Sequence, residues 1–249
     1  MEWYEIILLI SAGVIAGFIN TLAGSGSLLT LPLFMAFGLP APVANGTNRI
    51  GILLQSITSV LSFKKQNLLD FRTALKIAIP SVIGSIIGAM IAVDLDEKLM
   101  ETSIGILLIL MFFLILWKPD RWVKEHAGNP PLPLWAQIII FFFVGMYGGF
   151  IQAGVGFFLL AALVLASGLD LVKANALKVL LVFFYTPFSL AVFIFNHQVD
   201  YKLGFIVAFG GMIGAWIGAR MSVKWGPSVV RFILLATLLV ASAKLLGFF

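Results

Sequence analysis

The chain has 249 residues, 61% of them hydrophobic and only 11% charged, whereas soluble domains carry about a quarter charged residues. With a mean hydropathy of +1.09, this composition excludes a water-soluble globular domain. Cysteine is absent, which excludes disulfides, thiolate metal sites and cysteine redox chemistry together, and the +5 charge fits basic cytoplasmic loops better than nucleic-acid binding.

The chain opens Met1-Glu2-Trp3-Tyr4-Glu5, without the basic region of a cleaved signal, so the first apolar run reads as mature protein. Glycine, proline and charge punctuate the apolar sequence and predict helices at about 5–23, 27–37, 43–63, 72–93 and 98–117. Lys118 to Pro131 is an extended polar stretch. Beyond it, helices are expected at about 132–153, 157–168, 172–195, 201–221 and 227–248. The second segment on each side of the linker is too short for a bilayer core of about 30 Å. Each follows a glycine break, Gly24-Ser25-Gly26 or Gly154-Val155-Gly156. The expected fold is an all-α polytopic membrane protein with about 8–10 transmembrane or half-membrane helices, broken or re-entrant near 24–26 and 154–156. Its units are a first membrane repeat at 1–117, a polar linker at 118–131 and a second membrane repeat at 132–249.

The repeats are visible as such. A shift of about 130 residues lines up Ala23 through Ala89 with Ala153 through Ala219 without a gap, with identity at roughly a quarter of positions. Gly38-Leu39 falls on Gly168-Leu169, Ala44-Asn45 on Ala174-Asn175, Phe63 on Phe193 and Asp70 on Asp200. With five crossings per copy, Lys64, Lys65 and Arg72, the linker cations and Arg220 with Lys224 share one side, opposite Asp94, Asp96 and Glu97. That count makes the repeats inverted and places Glu2, Glu5 and the C terminus outside. If each broken pair makes one crossing, Arg220 and Lys224 fall outside instead; the five-crossing count is preferred.

Charged residues first say what is missing. Every Asp and Glu falls in a predicted loop or at a helix end, and His126 and His197 are isolated. No di-carboxylate pair, histidine cluster or H-E-x-x-H helix marks an enzyme or metal centre, and no buried carboxylate suggests a proton relay. The expectation is a non-enzyme without cofactor or metal.

The polar residues inside the spans are few and paired between copies. Asn20 and Thr21 precede the first break, Ser25 and Ser27 follow Gly24 and Gly26, and the third helix begins Asn45-Gly46-Thr47-Asn48-Arg49. The second copy offers Gln152 before Gly154 and Gly156, then Asn175 and Lys178, with Lys178 at the place of Asn48. Residues 45, 48 and 49 share a helix face, as do 175 and 178. Such sites suit a small anion, because helix N-termini expose N–H groups and glycines let backbone approach a ligand. An arginine at mid-membrane costs about 2.5–3.5 kcal/mol on insertion scales, which a bound anion offsets. Plainer roles stay open: Arg49 and Lys178 as snorkelling side chains, Asn45 and Asn175 as helix caps, and the glycines as packing surfaces. Gln55 and Tyr185, which correspond between copies, line a pore or satisfy one another.

Asn20-Thr21-Leu22-Ala23-Gly24-Ser25-Gly26-Ser27, Pro32 and Ala44-Asn45-Gly46-Thr47-Asn48 resemble the signature of the TauE/SafE sulfite exporter family. Gly148-Gly149-Phe150, Gly154-Val155-Gly156 and Ala174-Asn175 resemble its second repeat. The resemblance covers essentially the whole chain. It implies a multi-pass bacterial or archaeal inner-membrane transporter for sulfite, sulfonates or related sulfur anions. Phe157 and Phe158 depart from the pattern, standing where the first copy has Ser27 and Leu28.

Together these readings predict export of a small sulfur oxyanion by alternating access at the repeat interface, with an anion channel or a non-transporting scaffold as alternatives. The expected partners are a small anionic substrate and the lipid bilayer, with no nucleic acid and a homodimer left open. The substrate is expected at Asn20, Thr21, Gly24, Ser25, Gly26, Ser27, Asn45, Thr47, Asn48 and Arg49, facing Gln152, Gly154, Gly156, Asn175 and Lys178.

Overall fold

Helices in this chain begin and end where glycine, proline or charge interrupts the apolar sequence. A computed structural model describes residues 1–106 and 130–224; its elements are α1 (Trp3–Leu22), α2 (Ser27–Ala36), α3 (Ala41–Lys65), α4 (Phe71–Val93), α5 (from 97, described to 106), α6 (Leu134–Phe150), α7 (Val155–Leu165), α8 (Leu171–Phe195) and α9 (Tyr201–Lys224). Within the described residues the predicted boundaries agree to within one helical turn; the expected end of the fifth helix at 117, the linker from 118 to 129 and the helix expected at 227–248 lie outside them. The fold class is the expected one, all-helical with segments fit to span a membrane.

Local chemistry accounts for the ends. Asp70 Oδ1 accepts the N–H groups of Arg72 and Thr73 at the start of α4, and Asp170 Oδ1 does the same for Val172 and Lys173 at α8. Pro40 and Pro133 precede α3 and α6, where a residue without N–H is tolerated. α6 stops at Phe150, a turn earlier than predicted, because Gln152 adopts a left-handed φ of 66°. α1, α4, α8 and most of α9 are long and apolar enough to cross a membrane. At 10 and 11 residues, α2 and α7 cover only about half of the hydrocarbon thickness.

The shift that aligns the sequence also aligns the backbone. It carries α3 (Ala41–Lys65) onto α8 (Leu171–Phe195) end for end. Left-handed residues pair in the same way: Gly24 with Gly154, Gly38 with Gly168, Asn67 with His197. Gln152 is the exception, because its counterpart Leu22 is helical.

The two halves interlock. α1 packs along α9, and α4 along α6. Gly210, Gly214 and Gly218 lie against Ile10, Val14 and Phe18 in turn, while Gly145 and Gly149 meet Ser81 and Ser85. Contacts that advance together mean that each pair runs parallel, with small residues allowing close approach. α3 also runs parallel to α9, from Ile50 against Gly204 to Gln55 against Gly211. α8 lies antiparallel to α3: Arg49 reaches Ser189, whereas Ser59 and Lys178 share one cavity. α1, α3 and α9 therefore point one way and α4, α6 and α8 the other.

These directions segregate charge. Lys64, Lys65, Arg72, Lys76, Lys173 and Arg220 gather at one end of the bundle with Asp70 and Asp170. Glu2, Glu5, Asp94, Asp96, Glu97, Glu101 and Asp200 gather at the other with Lys98 and Lys202.

Candidate functional site

The two glycine breaks meet at bare backbone. Gly24 and Gly154 hold φ of 74° and 72°, and the Gly156 N–H donates to the Gly24 carbonyl at 3.2 Å. A Cβ on either Gly24 or Gly156 would sit 2.2 Å from the other's Cα, so no side chain fits on either partner. Beside this contact lies a cavity of about 30 Å³, lined among others by Asn20, Gln55, Ser59, Gln152, Lys178 and Val182. That is room for about two water molecules.

Two cations frame the breaks, each holding the opposite copy. Lys178 Nζ, on α8, donates to the carbonyls of Asn20 and Thr21, both at 3.1 Å, and to Asn175 Oδ1 at 2.7 Å. The carbonyls belong to the last turn of α1, the negative end of its dipole. Arg49, on α3, does the same to α6. Its Nη1 donates to the Gly148 carbonyl (3.1 Å), Gln152 Oε1 (3.0 Å) and Ser189 Oγ (3.1 Å). Its Nη2 donates to the carbonyls of Gly149 (2.5 Å) and Phe150 (3.4 Å) and to Asn45 Oδ1 (3.5 Å). The guanidinium also sits 4.4 Å from the centre of the Phe193 ring. Neither cation has a carboxylate partner among the described residues, and both side chains are buried. Each copy's third helix thus grips the carbonyl end of the other copy's first.

Residues 9–245 match a family model described as Sulfite exporter TauE/SafE. The chain belongs to the TauE/SafE family. It is similar to the "Probable membrane transporter protein YfcA" of Escherichia coli K12, 30% identical over 245 residues that cover 96% of this chain and 88% of the relative. It is also similar to a "Probable membrane transporter protein ORF9" of a Sinorhizobium species, at 26% identity over 99% of this chain and 94% of the relative. A "Probable membrane transporter protein" of Haemophilus influenzae is 26% identical over 96% and 93%. No solved structure matches the chain at a significant level. Family and relatives make this a membrane transporter of the TauE/SafE type.

In this TauE/SafE protein the predicted residues divide into two groups. Asn20, Thr21, Gly24, Ser27, Gln152, Gly156 and Lys178 line the cavity. The others lie behind it or elsewhere. Asn45 donates to the Phe150 carbonyl (2.7 Å) and Asn175 to Ser222 Oγ (3.1 Å), both well inside their helices, so neither is an N-cap. Thr47 Oγ1 accepts the Asp200 N–H (2.8 Å) and fixes the start of α9. Asn48 Oδ1 accepts from Thr30 Oγ1 at 2.6 Å, and the Gly26 N–H donates to Asn20 Oδ1 at 2.7 Å. Ser25 Oγ is buried without a partner among the described residues, and Gly154 supplies the turn into α7. Snorkelling does not describe Arg49 or Lys178, since both reach inward.

Sequence reasoning passed over four hydroxyls. Ser56 and Ser59 line the cavity, with Ser59 paired to Thr21 at 2.8 Å, while Thr186 and Ser189 serve Gln152 and Arg49. The signal was present: the repeat shift carries Ser56 onto Thr186 and Ser59 onto Ser189.

Proposed function

We propose that the protein exports a small sulfur oxyanion, such as sulfite or an organosulfonate, across the inner membrane by alternating access, with the cavity between the glycine breaks as its occluded site. The observation that carries this reading is Lys178. A buried ammonium without a carboxylate partner among the described residues lines the cavity together with the amides of Asn20, Gln55 and Gln152. A buried cation left uncompensated is costly, and an anion in the cavity offsets that cost. The family description supports the sulfur chemistry.

Asn20, Thr21, Ser27, Gln152 and Lys178 contact the substrate in this reading, with backbone at Gly24 and Gly156. Arg49, Asn45, Asn48 and Asn175 support the walls. The repeats are inverted, a reading supported by the opposite directions of α3 and α8 and of α1 and α6. The end rich in Lys64, Lys65, Arg72, Lys173 and Arg220 faces the cytoplasm, as loop cations do. Because α1 packs on α9 and α4 on α6, the bodies that move each contain helices of both copies.

The test is efflux of sulfite and methanesulfonate from proteoliposomes of the full chain. Saturable flux with counterflow, lost in Lys178→Met, is expected. Flux that neither saturates nor shows counterflow would identify a channel. Absence of flux for both anions would sink the oxyanion reading.

A further inference from the structure

Resting on that functional reading, we propose that Gln55 and Gln152 set specificity by presenting only amide N–H groups to the anion, because Asn20 and Arg49 fix which way each amide faces. The site then selects an unprotonated three-oxygen head group, as in sulfite or a sulfonate.

The orientations follow from donors that cannot accept. A guanidinium only donates, so the Gln152 atom 3.0 Å from Arg49 Nη1 is the amide oxygen. Gln152 Nε2 is then turned away, 3.4 Å from Thr186 Oγ1, on a side chain that lines the cavity. A second relay sets Gln55. The Gly26 backbone N–H donates to Asn20 Oδ1 at 2.7 Å, which leaves Asn20 Nδ2 to donate to Gln55 Oε1 at 2.9 Å. Gln55 Nε2 has no hydrogen-bond partner among the described residues, and Gln55 lines the same cavity. Lys178, whose ammonium only donates, is the third group, reaching the anion by giving up one of the carbonyls it now holds.

Three donors thus come from three elements: α3, the turn before α7, and α8. An –SO₃ head has three acceptor oxygens and no proton to place. Replacing one oxygen by O–H brings a donor against the N–H groups of Gln55, Gln152 and Lys178. A site built to hydrogen-bond discriminates strongly against a ligand that leaves its polar groups unmatched.

Methanesulfonate and singly protonated methylphosphonate make the probe pair. They share shape and charge and differ in the central atom, sulfur or phosphorus, and in one O–H. Binding is measured by titration calorimetry on the purified full chain, at a pH where methylphosphonate keeps one proton. The unaltered protein is expected to prefer methanesulfonate by about tenfold or more. Gln55→Glu and Gln152→Glu should weaken methanesulfonate by about tenfold and erase the preference. Gln55→Met and Gln152→Met, close in volume, should also narrow it and serve where a carboxylate prevents folding. The relay has its own readout. Asn20→Asp turns Gln55 around and should erase the preference, whereas Arg49→Lys, still a donor, should keep it. Glutamine variants that bind with the unaltered preference would overturn this inference and leave sulfonate transport standing. An unaltered protein that binds neither anion removes the functional reading and this one with it.

Discussion

Arg49 and Lys178 lie at nearly equivalent places in α3 and α8 and do the same work on opposite copies, but with different completeness. Arg49 spreads two nitrogens over six acceptors, three of them the final carbonyls of α6, and does not line the cavity. Lys178 has three acceptors, matching its three protons, and does line the cavity. A planar guanidinium is a fixed brace, whereas an ammonium on a flexible stem can trade a carbonyl for another acceptor. At these nearly equivalent places the chain therefore carries one cation suited to holding structure and one that, in the proposed function, meets the ligand.

The comparison can be broken most forcefully at Arg49. Arg49→Met strands Gln152 Oε1 and the α6 carbonyls, at about 3 kcal/mol or more. The melting midpoint should fall by about 6–12 °C in a detergent thermostability assay. An unchanged midpoint would remove its role as a brace. Next comes the contact between the breaks. Gly156→Ala drives a Cβ to 2.2 Å from Gly24 Cα and should cost about 1–3 kcal/mol, read in the same assay. Gly24→Ala meets the same clash and adds left-handed strain, so it should melt lower than Gly156→Ala. Lys178→Met should lower stability by only about 1–2 kcal/mol, because cavity water can serve the freed carbonyls, while methanesulfonate binding drops by about tenfold or more. A variant that melts early and still binds would reverse the assignment of the two cations.

The smallest effect lies outside both cations. Hydrogen bonds from the Thr73 hydroxyl and from the Thr73 and Arg72 N–H groups hold the Asp70 carboxyl below its ordinary pKa. A lowered folded-state pKa gives stability that is present above the ordinary carboxylate range and lost as pH falls through the lowered value. Asp70→Ala should therefore cost about 1 kcal/mol at neutral pH, with the gap to the unaltered protein closing in acid.

Much of this was legible in the sequence, for a physical reason. Gly24, Gly154, Pro40, Pro133 and Asp70 act through local backbone chemistry, so boundaries and breaks could be read from residue type. The repeat could be read because identical positions kept identical conformations, and the shared backbone extends even to Asn67 and His197. What could not be read was contact at long range. Arg49 is held by carbonyls about 100 residues away, on a helix of the other copy, and no local pattern announces that. Thr47 looked like a ligand for the same reason: its acceptor role depends on α9 packing along α3. The cavity hydroxyls Ser56 and Ser59 were hidden differently, since Ser and Thr also bond their own helix, as Ser56 does to the Leu53 carbonyl.

In the proposed alternating-access cycle, two identical inverted halves would make the inward-open and outward-open conformers equivalent by a two-fold rotation in the membrane plane, with the same energy, and neither could be favoured. Any resting preference must be written where the halves differ. Gln152, left-handed where Leu22 is helical and joined to Arg49 where the first copy has no such bond, is the position at which the left-handed backbone of the two breaks differs. In that proposed cycle it is the place where a degenerate pair of conformers would acquire a ground state.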